Sequence, residues 1–86
     1  MWYVYILRSM RDGKLYVGST ADLKRRLREH REGRCTATRH RRPLTLEAYL
    51  ALKKESTARS LEAYLKSGSS IATLRKRISS SGVRRT

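Results

Sequence analysis

Few side chains in this sequence can do chemistry. It holds two histidines, one cysteine, seven carboxylates and five tyrosines, with no asparagine and no glutamine. A side-chain metal ligand must therefore come from the carboxylates, His30, His40, Cys35 or a hydroxyl. Structural zinc wants four ligands, and with a single cysteine there is no C-x-x-C spacing to supply them. Cys35 can form no internal disulfide, and no local pattern pairs it with a histidine as a nucleophile. Among the acids, Asp12 reads as part of a turn, Asp22 as a helix cap, and Glu29, Glu32, Glu47 and Glu55 as solvent-facing. Glu62 differs, because it follows Leu61 and lies beside Leu65 on a helical wheel, at the border of the apolar face. From position alone it is either a site carboxylate or a surface partner for Lys66 four residues on, a pair worth roughly a few tenths of a kcal/mol.

The cations set the partner class. There are 21 Lys plus Arg against 7 Asp plus Glu, a formal net charge of +14 on 86 residues. So dense a charge attracts polyanions. Fifteen of the 21 are arginine, whose planar fork matches phosphate oxygens two at a time, whereas lysine offers a point charge. Nucleic acid is the first partner implied, and a membrane partner is not expected. No apolar run approaches the ~20 residues of a membrane span, and the N-terminus lacks a cationic leader and a small-residue cleavage site. With the lone cysteine, these features read as a cytoplasmic protein.

A chain of this length makes one domain, expected over residues 1–79, followed by a basic flexible tail over 80–86. Trp2 to Leu7 and Lys14 to Ser19 read as strands joined by a turn at Asp12-Gly13. From Asp22 to about Glu32 the period becomes helical, with Leu23, Leu27 and His30 on one stripe, Asp22 as cap, Gly33 as stop and Arg26 on the flank of the stripe. Arg34 to Pro43 reads as a mobile, cationic loop. Leu44 to Leu52 alternates as a half-buried strand, placing Leu44, Leu46, Ala48, Leu50 and Leu52 on one face, with a helix as the competing reading because Leu, Ala and Glu are good helix formers. Ser56 is expected to open a second helix with Ala58, Leu61 and Leu65 inward, ended by Gly68, and a short third helix should start at Ser69 or Ser70. The order is β-β-α-β-α-α, an α+β fold with a small three-stranded antiparallel sheet flanked by helices.

YVYIL, LYVGSTADLKRRLREH and ARSLEAYLKSGS together resemble the GIY-YIG nuclease superfamily. Its two name-giving tripeptides read here as Tyr3-Val4-Tyr5 and Tyr16-Val17-Gly18, with a tyrosine where the first usually has glycine. Ten residues past Tyr16 stands Arg26, followed one turn later by His30, and Glu62 aligns with the superfamily's metal-binding glutamate on the second helix. Many members carry an asparagine after that glutamate, and this chain has none.

The resemblance implies a metal-dependent DNA endonuclease, structure-selective or weakly sequence-specific, using one Mg²⁺ (or Mn²⁺) held by Glu62. It implies Tyr5 as general base, Tyr16 as the group orienting water or phosphate, Arg26 on the scissile phosphate and His30 in positioning or proton transfer. Phosphodiester cleavage needs such parts: a base, a cation on the non-bridging oxygens and help for the leaving oxyanion. The remaining cations, Lys24, Arg25, Arg28, Arg39, Arg41, Arg42, Lys66, Arg75, Lys76 and Arg77, with Arg84 and Arg85 in the tail, are expected to track the backbone of DNA, branched or nicked, with RNA less favoured. The missing asparagine motivates the alternative, a basic nucleic-acid-binding module of the same fold with weak or no turnover. Oligomeric state is left open.

Overall fold

In the computed structural model, which describes residues 1–67, the N-terminal apolar run forms the strand expected of it. β1 covers Trp2–Ser9 and β2 covers Leu15–Thr20. The turn between them needs Gly13, whose φ of +73° places it where a side chain would be strained. Ser9, with no exposed surface, organises this turn: its Oγ accepts from the backbone N–H groups of Arg11 and Asp12 and donates to the Arg41 carbonyl at 2.7 Å.

α1 runs Leu23–Arg31. Asp22 caps it by accepting from the Arg25 N–H at 3.1 Å, satisfying one of the orphan donors of the first turn. Its other end closes in a Schellman motif around Gly33 at φ +81°, with the Gly33 N–H on the His30 carbonyl (3.2 Å) and the Arg34 N–H on the Glu29 carbonyl (2.9 Å). That geometry fixes the turn carrying His30.

The segment expected to be a mobile loop is tethered at several points. It holds a short 3₁₀ turn at Arg39–Arg41 and donates from Arg41 Nη2 to the Leu15 carbonyl at 3.4 Å, while Met10 N–H reaches the Pro43 carbonyl at 2.8 Å.

β3 covers Leu44–Leu52 and lies on the far side of β1 from β2, giving the antiparallel order β2-β1-β3. The alternation read from its sequence does not survive intact. Val4 faces Leu50 and Ile6 faces Ala48, but Leu7 faces Leu46, so one residue of β3 is extra opposite the Ile6/Leu7 step. A bulge of one residue sends every later side chain to the other face. Ala48, Leu50 and Leu52 therefore share the face of Val4 and Ile6, and Leu44 and Leu46 share that of Leu7 and Ser9. As an edge strand β3 is also less covered than expected, with Leu46, Tyr49 and Leu50 all exposed.

α2 spans Glu55–Lys66, starting before the Ser56 that the sequence suggested; Lys54 is its N-cap, without a side-chain cap bond. Glu55 supplies the favourable first-turn negative charge instead and pairs with Arg59 at 2.7 Å. Its inward face is the expected one. Ala58 is fully buried against Val4, Ile6 and Val17, and Leu61 and Leu65 pack on this cluster with Trp2, Leu15 and Leu52. The third helix, the 79/80 boundary and the tail fall outside the described residues. No described helix is long and apolar enough to cross a membrane.

Candidate active site

Tyr5 is the centre of the opposite sheet face. It is 1% exposed and pairs across the ladder with Gly18. A Cβ built on Gly18 would stand 2.5 Å from Tyr5 Cζ. Glycine is required there because the phenol ring lies directly over the backbone of β2. Leu7 pairs with Tyr16, so both tyrosines project from this face, with ring centroids 6.4 Å apart. His30 completes the group from α1, edge-on to both rings at 5.5 and 5.3 Å.

A buried hydrogen-bond chain runs through these rings. Tyr5 Oη is 2.9 Å from His30 Nε2, and His30 Nδ1 is 2.7 Å from Thr38 Oγ1; Thr38 has no exposed surface and His30 has 1%. The charge of Arg26 also acts on the Tyr5 hydroxyl, favouring its ionised form. Hydroxyls can donate or accept, so a neutral His30 satisfies both contacts in either tautomer: Nδ1–H donating to Thr38 with Tyr5 donating to Nε2, or the reverse.

Burial sets the proton affinities. It pushes Tyr5 up to about 12 against the opposing pull of Arg26, so the phenol is protonated at neutral pH. Tyr16 is raised as well, by burial first. Burial and then Arg26 hold His30 below its ordinary value, keeping it neutral. The resemblance calls for positive charge near Tyr5 to ease its ionisation; Arg26 supplies that charge, and burial outweighs it.

Glu62 approaches from the other side of β2. Ser19 alternates with Gly18 and faces α2, where its hydroxyl donates to Glu62 Oε1; Lys66 Nζ lies 2.8 Å from Glu62 Oε2. Lys66 also reaches around the edge of the strand, 5.6 Å from the centroid of the Tyr16 ring. Desolvation pushes the Glu62 carboxyl up, but the bonds from Lys66 and Ser19 and the charge of Arg59 leave it below the usual carboxylate range. Tyr16 is the junction: its hydroxyl feels Lys66 and Arg26 on one hand and Glu62 on the other. An open groove beside them is lined by Arg25, Arg26 and Glu29 of α1, Ser19 and Thr20 of β2 and Arg59 of α2, among others.

Glu29 corrects the sequence reading. Expected to face solvent, its side chain is 22% exposed and binds Arg26 Nη1 at 3.0 Å and Arg25 Nε at 3.3 Å, and Arg26 holds its carboxyl below the usual range. Glu47 likewise is half-buried in a 3.1 Å pair with Arg8, because the β3 bulge turns it inward. Of the other cations, Lys24, Arg25, Arg28 and Arg39 are exposed as expected. Arg42 instead donates to the Arg39 and Arg31 carbonyls, and Arg41 to the Leu15 carbonyl, so both bind the loop to the domain. Arg75, Lys76, Arg77, Arg84 and Arg85 lie outside the described residues.

Among the described residues no three His, Cys, Asp or Glu side chains gather to hold a metal. Glu62 is an ionised carboxylate, 21% exposed, with an ammonium already seated on one oxygen. A single carboxylate, with water and substrate phosphate completing the shell, fits Mg²⁺, which seldom uses an all-protein cage.

The sequence matches the family model for the GIY-YIG catalytic domain over residues 1–75, and the chain belongs to that family. It is 41% identical over 66 residues to a UPF0213 protein of Pectobacterium carotovorum, covering 76% of this chain and 66% of that one. A UPF0213 protein of Streptococcus pyogenes is 40% identical over 65 residues, covering 74% and 70%. The chain thus spans about two thirds of the length of these curated relatives. The solution NMR structure of a UPF0213 protein from Bacillus halodurans is similar with a TM-score of 0.53 and 36% identity, covering 86% of this chain and 82% of that one. The domain type points to a nuclease acting on nucleic acid.

Proposed function

We propose that the protein is a metal-dependent endonuclease that hydrolyses phosphodiester bonds in DNA, including branched or nicked DNA. What supports this reading is that the Tyr5–Tyr16–His30 cluster and the Ser19-bound Glu62 flank β2 on its two faces, with Lys66 reaching from Glu62 to the Tyr16 ring. Arg26, the catalytic cation, leaves Glu29 to bind the scissile phosphate. Tyr5 then takes a proton from the attacking water as its own passes to His30 Nε2, a relay suited to a phenol with proton affinity near 12 and a neutral imidazole behind it. Thr38 holds the imidazole in register. Mg²⁺ on Glu62, or Mn²⁺ in its place, would supply charge stabilisation for the leaving oxygen. A cytoplasmic location belongs to the same reading.

A second reading has its own support. Arg26 is engaged by Glu29 and Glu62 by Lys66, so both ends of the site are internally neutralised. A basic binding module without turnover would look the same. Incubation with branched, nicked and linear DNA, with Mg²⁺, Mn²⁺ or chelator, separates the two. Turnover predicts metal-dependent nicks that vanish in Glu62→Ala and Arg26→Ala; equal residual cutting by both variants would assign the nicks to a contaminant.

A further inference from the structure

Two further aromatic rings flank Tyr5 on its own sheet face, with Tyr49 directly across the ladder from it. Tyr3 on β1 and Tyr49 on β3 stand edge to face with centroids 6.2 Å apart, and Tyr49 is 54% exposed. With Leu23 and Lys24 of the first turn of α1 they wall an open cavity of about 430 Å³. This cavity and the groove carrying Arg26 share two lining residues, Ala21 and Asp22, so the two concavities are neighbours. Asp22 caps α1 through Oδ1 and keeps a second, exposed carboxylate oxygen on the shared rim.

Exposed aromatic faces beside cations, on a chain of net charge +14, match one ligand chemistry. A nucleobase stacks on an aromatic side chain whatever its sequence, while the flanking phosphate meets a cation. Inside a duplex both faces of a base are already covered by its neighbours, so only an unstacked base can use such a site. We propose that the Tyr3–Tyr49 cavity receives one unpaired nucleobase of the DNA substrate, stacked on Tyr49, with Lys24 on the adjoining phosphate. The inference rests on the nuclease reading and narrows it to junctions where paired DNA meets a single-stranded nucleotide, with the cut phosphate next to the captured base at Arg26.

The test uses the full chain in chelator, so that binding is read without cleavage. Anisotropy compares a fully paired duplex with the same duplex carrying a short single-stranded flap, and 2-aminopurine at the first unpaired position reports stacking by quenching. The wild type should prefer the flapped duplex and quench the probe. Tyr49→Ala should lose about fivefold or more of the affinity for the flap and abolish quenching, whereas Tyr49→Phe, which keeps the ring, should retain both. Equal affinity of the wild type for the two duplexes, or a Tyr49→Ala loss shared equally between them, would overturn the base site and leave the nuclease reading standing if metal-dependent nicks persist. Absence of any DNA binding would end both, and tighter binding of an RNA flap would overturn the assignment to DNA.

Discussion

Replacing Thr38 by valine keeps the shape of a side chain with no exposed surface and removes the hydroxyl that lies 2.7 Å from His30 Nδ1. At 1% exposure His30 has no water to turn to, so Nδ1 would be buried without a partner. That costs about 1–3 kcal/mol. For a domain of this size each kcal/mol shifts the melting temperature by roughly 4–8 °C. A drop of ~5–20 °C is therefore expected. The loss should also be visible at the ring, as a shifted Nδ1 resonance of His30. Calorimetry with nitrogen-resolved NMR of the imidazole measures both effects, and Thr38→Ser, which restores the hydroxyl, should recover most of each. A valine variant that melts with the wild type and keeps the wild-type Nδ1 signal would refute the hydrogen-bond chain as described.

Three other outcomes follow from the same geometry. Gly18→Ala should force the Tyr5 ring aside and destabilise by about 1–3 kcal/mol, read as a lower denaturant midpoint with altered Tyr5 resonances; an unchanged midpoint would contradict the close approach. His30 is held below its ordinary 6.5 in the folded state, so the unfolded chain binds the proton first, and stability that is full above 6.5 should fall as pH drops below it. Denaturant melts at pH 7.5 and 5.5 check the sign. Binding of duplex DNA should weaken steeply with salt, and Lys24→Ala should reduce the log–log slope by about one.

Much of this site was legible because its residues announce themselves by type and interval. Tyr5, Tyr16, Arg26, His30 and Glu62 fall in register with a known pattern, and Asp22 and Gly33 bound α1 by cap chemistry that is local. What escaped depends on distant partners. Thr38 is an ordinary residue in a polar loop, and nothing near it in the chain says that its hydroxyl will meet an imidazole eight residues back. Ser19 looks like any strand residue until α2 brings Glu62 against it. A helical wheel sets Glu29 toward solvent because it does not show the reach of Arg26 at i−3. The alternation in β3 misled for a related reason: register belongs to the strand pair, and the extra residue opposite Ile6/Leu7 cannot be seen in either strand alone.

The outer flank of β3 has a consequence for handling the protein. No strand among the described residues pairs with it, yet it carries Leu46 and Leu50 in the open. Such a ledge invites a neighbour to zip on, and mutual repulsion between molecules of charge +14 is the force at hand to keep them apart. Concentrated electrolyte shrinks that protection to a range of about 3 Å at 1 M, so the high-salt wash that strips bound polyanions from the protein should also be the step at which it begins to clump.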